Sequence, residues 1–483
     1  MTMLSLSSLT ILWVALPFFM GFSMVLLPIL ARPFALGMAV LSIGYAADLF
    51  LQDASLTLHL LDQAGVTLMV DGLSGFFILT NGLVTAAVAL YCWNRDFSAF
   101  FYTQLVILHG SVNAVFISAD WISVYVSLEV ISIAAFLLIA YPRSDRSVWV
   151  ALRYLFVSNT AMLFYLVGTV LVYQANQSFA FEGLGNAPPE AIALIFIGLL
   201  TKGGVFVSGL WLPFTHSEAA TPVSAMLSGV VVKAGVYPLL RFAMLVDDLD
   251  LLVRLFGTGT ALLGVTFAIF ERDIKRMFAL STISQVGFVL AAPQASGLYA
   301  LSHGLAKSSL FLTAGRLPSR NLNELKQQSI PRWTWLVLAV ASLSIIGVPL
   351  LAGFGAKTLT MSALLPWQQV PINVAAVGTA LVFSSVVGLP FHSRGEDRKD
   401  HRGFWVVALL LSGCLIALNV STLDVYTFPN IAKALIIAGL GGVAYRVLFQ
   451  RINIVLPRTV EQFDHLIGLM MVLVVVLFWG ALI

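Results

Sequence analysis

Apolar runs of about 18 residues or more recur along the whole chain, each long enough to span roughly 30 Å of hydrocarbon. They are separated only by short polar breaks, and that pattern constrains the fold more than any single motif does. The runs fall near 10–31, 33–51, 71–93, 99–119, 121–141, 149–174, 191–212 and 222–243. Further runs lie near 251–270, 277–293, 298–316, 333–365, 372–391, 403–420, 430–449 and 465–483. Of the 483 residues, 59% are apolar and only 10% are charged. A soluble domain carries roughly 25% charged residues, so this chain has too few to cover a water-facing surface. The expected fold is therefore an all-α polytopic membrane protein of about 14–16 transmembrane helices. The net charge of +3 is scattered, and no basic patch suggests nucleic acid. Cys92 and Cys414 lie far apart inside apolar runs, which reads as packing and excludes a disulfide framework or a cysteine metal site. The start MTMLSLSSLT has neither the positive region nor the cleavage site of a signal peptide, so the first run is expected to stay as a helix.

Loop charges test the helix count independently, because Lys and Arg collect on the cytoplasmic side. Alternate loops carry Arg32, Arg95, Arg143 with Arg146, then Arg272, Lys275 and Arg276. The same side continues with Arg316, Arg320, Lys326 and Arg332, then Arg394, Arg398, Lys399 and Arg402, then Arg446, Arg451 and Arg458. The opposite loops carry Asp62, Asp120, Glu182 with Glu190, Asp247 with Asp248, and Asp424. Arg241 and Arg254 are the exceptions. The alternation places both termini outside.

Two spans look interrupted. The seventh runs from Ala191 to about Trp211 and meets LPFTHSEAATP, where Pro213 and Pro222 bracket a polar stretch. The 333–365 span contains GVPLLAGFGAK, with Pro349, Gly353 and Gly355 just before Lys357. Pro and Gly free backbone groups that neighbours or water must satisfy. Breaks five helices apart point to two structural repeats facing one cavity system, and an odd repeat length inverts the second copy.

The residues that carry chemistry are the charges inside these spans. Glu129 lies in VSLEVISIAAF, Lys202 in GLLTKGGVF, Lys233 in GVVVKAGVY, and Lys357 follows the second break. His303 and Lys307, in LSHGLAKSSLF, are four apart and share one helix face. An ionisable group at a helix centre costs from about 2.5 to above 10 kcal/mol, so such groups persist only if paired, hydrated or able to neutralise. A buried amine loses proton affinity and a nearby carboxylate restores it. A unit charge brought to about 4 Å changes the energy by roughly 4 kcal/mol at an effective dielectric of about 20. That is about three pKa units, enough to drive a proton onward. Glu129 and Lys202 form the natural switch pair, with Lys233 and His303 as relays and Lys357 as the far acceptor. The competing readings are a static salt bridge for Glu129, snorkelling for Lys233 and Lys307, and a satisfied core histidine for His303. His216 and Glu218 stand between a role in the break and simple loop solvation. Asp71, in VDGLSGFF, reads as an interfacial cap. No cysteine cluster, phosphate-binding loop or nucleophile elbow appears, because GTGTALLG at Gly257 lacks the spacing.

The stretch WLPFTHSEAATPVSAMLSGVVVKAGVYPLLR resembles the signature of the proton-pumping antiporter-like subunits. That family joins the membrane arm of respiratory complex I to the Mrp-type multisubunit cation/proton antiporters. RDIKRMFALSTISQVGF, LSHGLAKSSLFLTAG and LEVISIAAFLLIA are similar to its other blocks, and the likeness runs from Asp71 to Phe391. It implies two inverted five-helix repeats with broken helices 7 and 12. The parts expected are N-terminal helices over 1–98, repeats over 99–243 and 251–391, and C-terminal helices over 392–483. It places Glu129 and Lys202 on the family's paired glutamate and lysine, Lys233 on the bridging lysine, His303 on a central-axis histidine and Lys357 on the terminal residue of the broken twelfth helix. Where relatives read DAHTEAP this chain has FTHSEAA, so that aspartate is missing. The implied function is a D-like, proton-translocating subunit of an Mrp-type Na+/H+ antiporter, favoured by the chain's length without a long lateral C-terminal helix. Its expected partners are other subunits, the bilayer, H+ and Na+, with no cofactor, in a prokaryotic inner membrane or a thylakoid. No sodium ligands are legible. The alternative is an antiporter-like subunit of a complex I relative, including quinone oxidoreductases and membrane-bound hydrogenases, and only there would the chain belong to an enzyme.

Overall fold

All sixteen apolar runs fall on helices in the computed structural model, which describes residues 3–61, 65–392, 402–449, 454 and 456–482. The first two helices are α1 (Met3–Leu26) and α2 (Ala31–Gln52). A short antiparallel hairpin follows, β1 (Leu56–His59) with β2 (Thr67–Val70), in a register that pairs Leu56 with Val70. Then come α3 (Gly72–Cys92), α4 (Ala99–Ile117), α5 (Trp121–Ile139) and α6 (Asp145–Asn176). The seventh span is split into α7 (Pro189–Lys202) and α8 (Trp211–Glu218). It is followed by α9 (Thr221–Leu245), α10 (Asp247–Phe270), α11 (Ile274–Ala291) and α12 (Ser296–Ala314). The twelfth is split into α13 (Arg332–Ile346) and α14 (Ala352–Ser362). The chain closes with α15 (Gln369–Val387), α16 (Arg402–Ala417), α17 (Phe428–Ala444) and α18 (Phe463–Leu482).

Among the described residues, twelve spans are long and apolar enough to cross a membrane, the split seventh counted as one, and a thirteenth results if α11 and α12 count as one bent pair. Those two meet at 109° across a three-residue turn, Pro293–Ala295. The remaining apolar helices, α13 and Phe463–Trp479 of α18, are shorter. Polar side chains start several spans where the first N–H groups lack partners. Asp71 and Ser74 form a capping box on α3, and Ser144 and Ser147 form another on α6. Asp120 accepts from the Ser123 amide, and Asp273 accepts from the amides of Lys275 and Arg276.

The loop charges gather at two opposite ends. At one end Arg146 pairs with Glu218 at 3.0 Å, Arg276 with Glu271 at 2.8 Å and Glu461 at 2.7 Å, and Arg320 with Asp273 at 2.6 Å. At the other, Asp71 pairs with Arg241 at 2.6 Å and Asp250 with Arg254 at 2.7 Å. The two arginines that break the charge alternation are thus neutralised by local acids. Arg394, Arg398, Lys399, Arg451 and Asp62 lie outside the described residues.

The seventh span breaks earlier than the prolines suggest. The helix stops at Lys202, and Gly204 turns the chain with φ +66°, a conformation that favours glycine. Pro213 sits in the first turn of α8, where its missing N–H has no partner to lose, so it starts a helix and breaks none. The groups freed at the break find side chains: the Trp211 indole donates to the Thr201 carbonyl at 2.9 Å, and the Phe206 amide donates to Thr260 Oγ1 at 2.9 Å. The twelfth span breaks where the sequence places it, with Gly347 at φ +91°. There the Leu350 amide donates to the Tyr426 hydroxyl at 2.7 Å.

Candidate functional site

All six expected charges are in the interior or at its edge, and they form three groups. The first lies between α5, α6 and α7. Lys202 is 6% exposed, and its Nζ lies 4.0 Å from Glu129 Oε1, within Coulomb range but beyond a hydrogen bond. The ammonium instead donates to Ser132 Oγ, to Ser158 Oγ and, at 3.3 Å, to the Leu128 carbonyl. Glu129 Oε1 has no hydrogen-bond partner among the described residues. The pair is therefore open: the lysine is held by neutral acceptors beside a carboxylate oxygen that nothing described bonds. A cavity of about 10 Å³ lies beside Lys202, lined by Tyr154, Thr201 and Trp211, room for about one water.

The second group joins α9 to α12. Lys233 is 1% exposed, and its Nζ lies 3.2 Å from His303 Nδ1 and donates to the Ser228 carbonyl at 3.3 Å. That carbonyl belongs to a π-helical turn, Leu227–Val231, inside α9. Such turns open the regular backbone ladder and often mark functional places. His303 Nε2 has no partner among the described residues. Lys307, one turn along the same face, is fully buried, donates to the Phe278 carbonyl at 2.9 Å and lies 5.2 Å from the Phe383 ring centroid. Neither Lys233 nor Lys307 snorkels.

The third group is Lys357 on α14. Its Nζ donates to the Ile345 and Ile346 carbonyls, both at 3.1 Å, capping the α13 end where the helix dipole favours a cation. The Phe288 ring lies 5.0 Å away. A cavity of about 310 Å³ connects Lys357 with Asp424, Asn430 and Lys433. Between the second and third groups lies a small cavity lined by Gln285, Tyr299, Ser302, His303 and Ser344. Within it the Tyr299 hydroxyl donates to Gln285 Oε1 at 2.7 Å.

No direct hydrogen bond joins Lys202 to Lys233, although the helices that carry them touch. A Cβ on Gly235 would come 2.2 Å from the Gly203 amide nitrogen, so α9 lies directly against the end of α7. Sequence reasoning missed Ser132, Ser158, Gln285, Tyr299 and Asp424. His216, read as a break or loop residue, is fully buried in α8 and stacks on Phe311 at 4.5 Å, with neither ring nitrogen bonded among the described residues. That excludes loop solvation for it. Glu218 pairs with Arg146, and Asp71 is the cap expected of it, with Arg241 and Tyr237 added. Among the described residues no group of three or more His, Cys, Asp or Glu side chains could hold a metal ion. Cys92 and Cys414 are both free.

Broken spans around a set of buried ionisable side chains define a polytopic membrane protein of the antiporter-like class. Residues 118–384 match the NADH:quinone oxidoreductase/Mrp antiporter transmembrane family, and the chain belongs to it. It is 27% identical to Hydrogenase-4 component B of Escherichia coli, over 78% of this chain and 67% of that one. It is 25% identical to the D-type subunit of the Na(+)/H(+) antiporter of Alkalihalophilus pseudofirmus, over 84% of this chain and 91% of the relative. The fold is also that of a chain in the membrane-bound sulfane sulfur reductase, an archaeal respiratory membrane complex. That likeness has a TM-score of 0.76 at 22% identity and covers 90% of this chain and 98% of the other.

Proposed function

We propose that this chain is the proton-carrying subunit of a multisubunit Na+/H+ antiporter. The observation that carries the reading is the open Glu129–Lys202 pair at 4.0 Å, followed by further buried charges that end at a cavity. In this reading Glu129 and Lys202 act as the switch. When Glu129 swings away, Lys202 releases its proton towards Lys233 and His303; when it closes, the ammonium is held. His303, Lys307 and the Gln285–Tyr299 polar bridge carry the proton across the middle, and Lys357 passes it into the cavity beside Asp424. The segments 99–243 and 251–391 serve as two five-helix units, each supplying one half of the path. The near-complete coverage of a D-type antiporter relative supports this branch. The likeness to a hydrogenase component favours a second reading, in which redox chemistry elsewhere in a complex I relative drives the same path.

The test is dissipation of ΔpH by sodium in vesicles carrying the assembled complex. Wild type should collapse the gradient on sodium addition, and Lys202→Ala should lose at least about 90% of that rate with assembly intact, as removing an essential relay group implies. Wild type indifferent to sodium would move the chain to the redox-driven branch. Equal rates in wild type and variant would discard the relay.

A further inference from the structure

Away from the charged row, an open cavity of about 710 Å³ lies where α6 meets the start of α18. Arg153 lines it. This arginine is 8% exposed, and neither Nε nor Nη2 has a hydrogen-bond partner among the described residues. Its guanidinium lies over two rings, 4.8 Å from the Phe214 centroid and 5.9 Å from that of Trp149. The nearby acids do not satisfy it. Both Glu461 oxygens accept from Arg276, at 2.7 and 2.9 Å, and Arg458 leans on Glu271 at 3.4 Å. A buried guanidinium with free donors beside an open cavity is costly unless an acceptor enters from outside.

The depth of the site and its walls indicate what enters. The 32 residues of α6 span about 48 Å, some 18 Å more than a hydrocarbon core of about 30 Å. Arg153 is the ninth residue, about 12 Å from the helix start; with the excess shared as about 9 Å at each end it lies about 3 Å inside the hydrocarbon edge, near where headgroups meet acyl chains. Outward of it Trp149, Leu152 and Phe156 are 54%, 39% and 58% exposed, an apolar wall beside the cation. Trp149 stands where aromatic belts sit. Asp464, exposed at the mouth, complements the ammonium of an ethanolamine headgroup. We propose that this cavity is a glycerophospholipid site, in which a turn of the Arg153 side chain brings its unpaired donors onto the phosphodiester and the acyl chains run along Trp149, Leu152 and Phe156.

Native mass spectrometry of the assembled complex tests this. The probes are phosphatidylethanolamine, diacylglycerol with identical chains, and inorganic phosphate. Wild type should bind the phospholipid about tenfold more tightly than the diacylglycerol, the size of one charge-assisted contact, and Arg153→Gln should lose that preference. Equal binding of the two lipids by wild type overturns the proposal. So does displacement of the phospholipid by millimolar phosphate, which marks a soluble-anion site. If Arg153→Gln fails to fold, a phospholipid bearing a photoreactive headgroup is applied to wild type. Label on the peptides around 149–156 or 458–464 supports the site, and label confined elsewhere overturns it, including when another protein of the complex fills the cavity.

Discussion

At the scale of single residues, Lys202 shows how a charge is kept in place without being neutralised. Hydrogen bonds to a charged group are worth about 1.5–3 kcal/mol each, so Ser132 and Ser158 compete on equal terms with a carboxylate 4.0 Å away. Replacing both serines with alanine should let the ammonium collapse onto Glu129 and lock the pair. Sodium-driven ΔpH dissipation should then fall at least about tenfold, with the melting temperature in detergent little changed. The Glu129–Lys202 pair was legible in the sequence; the two serines were not. The six charges stand out because the membrane makes them costly, whereas a serine inside a helix carries no signal of what it faces. Asp71 makes a different prediction. Burial alone would raise its carboxyl, but the two-pronged Arg241, with the Ser74 amide, holds it below the usual carboxylate range. A lowered folded-state value adds stability above the unfolded value of about 3.9, and that stability is lost as pH falls through the folded one. Thermal stability should therefore drop on acidification below about pH 4, and Arg241→Gln should flatten that part of the curve.

The two breaks are the informative elements. Both were visible as interruptions, yet the seventh lay several residues from where proline placed it. A proline in the first turn of a helix costs nothing, while Gly204 ends one by permitting a turn that other residues resist. The break works only because α9 can lie against it. Adding a methyl group at Gly235 puts carbon 2.2 Å from the Gly203 nitrogen and 2.6 Å from the Lys202 carbonyl carbon, with backbone on both sides and no flexible side chain to yield. Gly235→Ala should cost about 1–3 kcal/mol, read as a lower melting temperature, and should reduce transport by displacing Lys202 from its serines.

For the whole molecule, the sequence resemblance reaches Phe391, and the family match covers 118–384. Much of what holds the ends together lies beyond both. Arg276, at the start of α11, is bound by Glu461 just before α18, 185 residues away. Both partners are buried, so Glu461→Ala should leave Arg276 with Glu271 alone and its Nη2 unpaired, and destabilise the protein by about 1–3 kcal/mol, measurable by thermal melting in detergent. Helix count and charge alternation were legible because hydropathy needs no tertiary information. The long-range pairs were not, because pairing across such separations leaves no local pattern. The second break depends on the same C-terminal region: Tyr426 holds the Leu350 amide, Thr422 lies so close to Gly355 that a methyl group there would meet its Oγ1 at 2.1 Å, and Asp424 shares the cavity of Lys357. The family domain is thus not a portable cassette. A chimera spliced after Ser384, with a relative's tail grafted on, would inherit the twelfth-span break without its clamp and Lys357 without the far wall of its cavity, so a tail can be exchanged without loss of stability only together with the face of α14 that it covers.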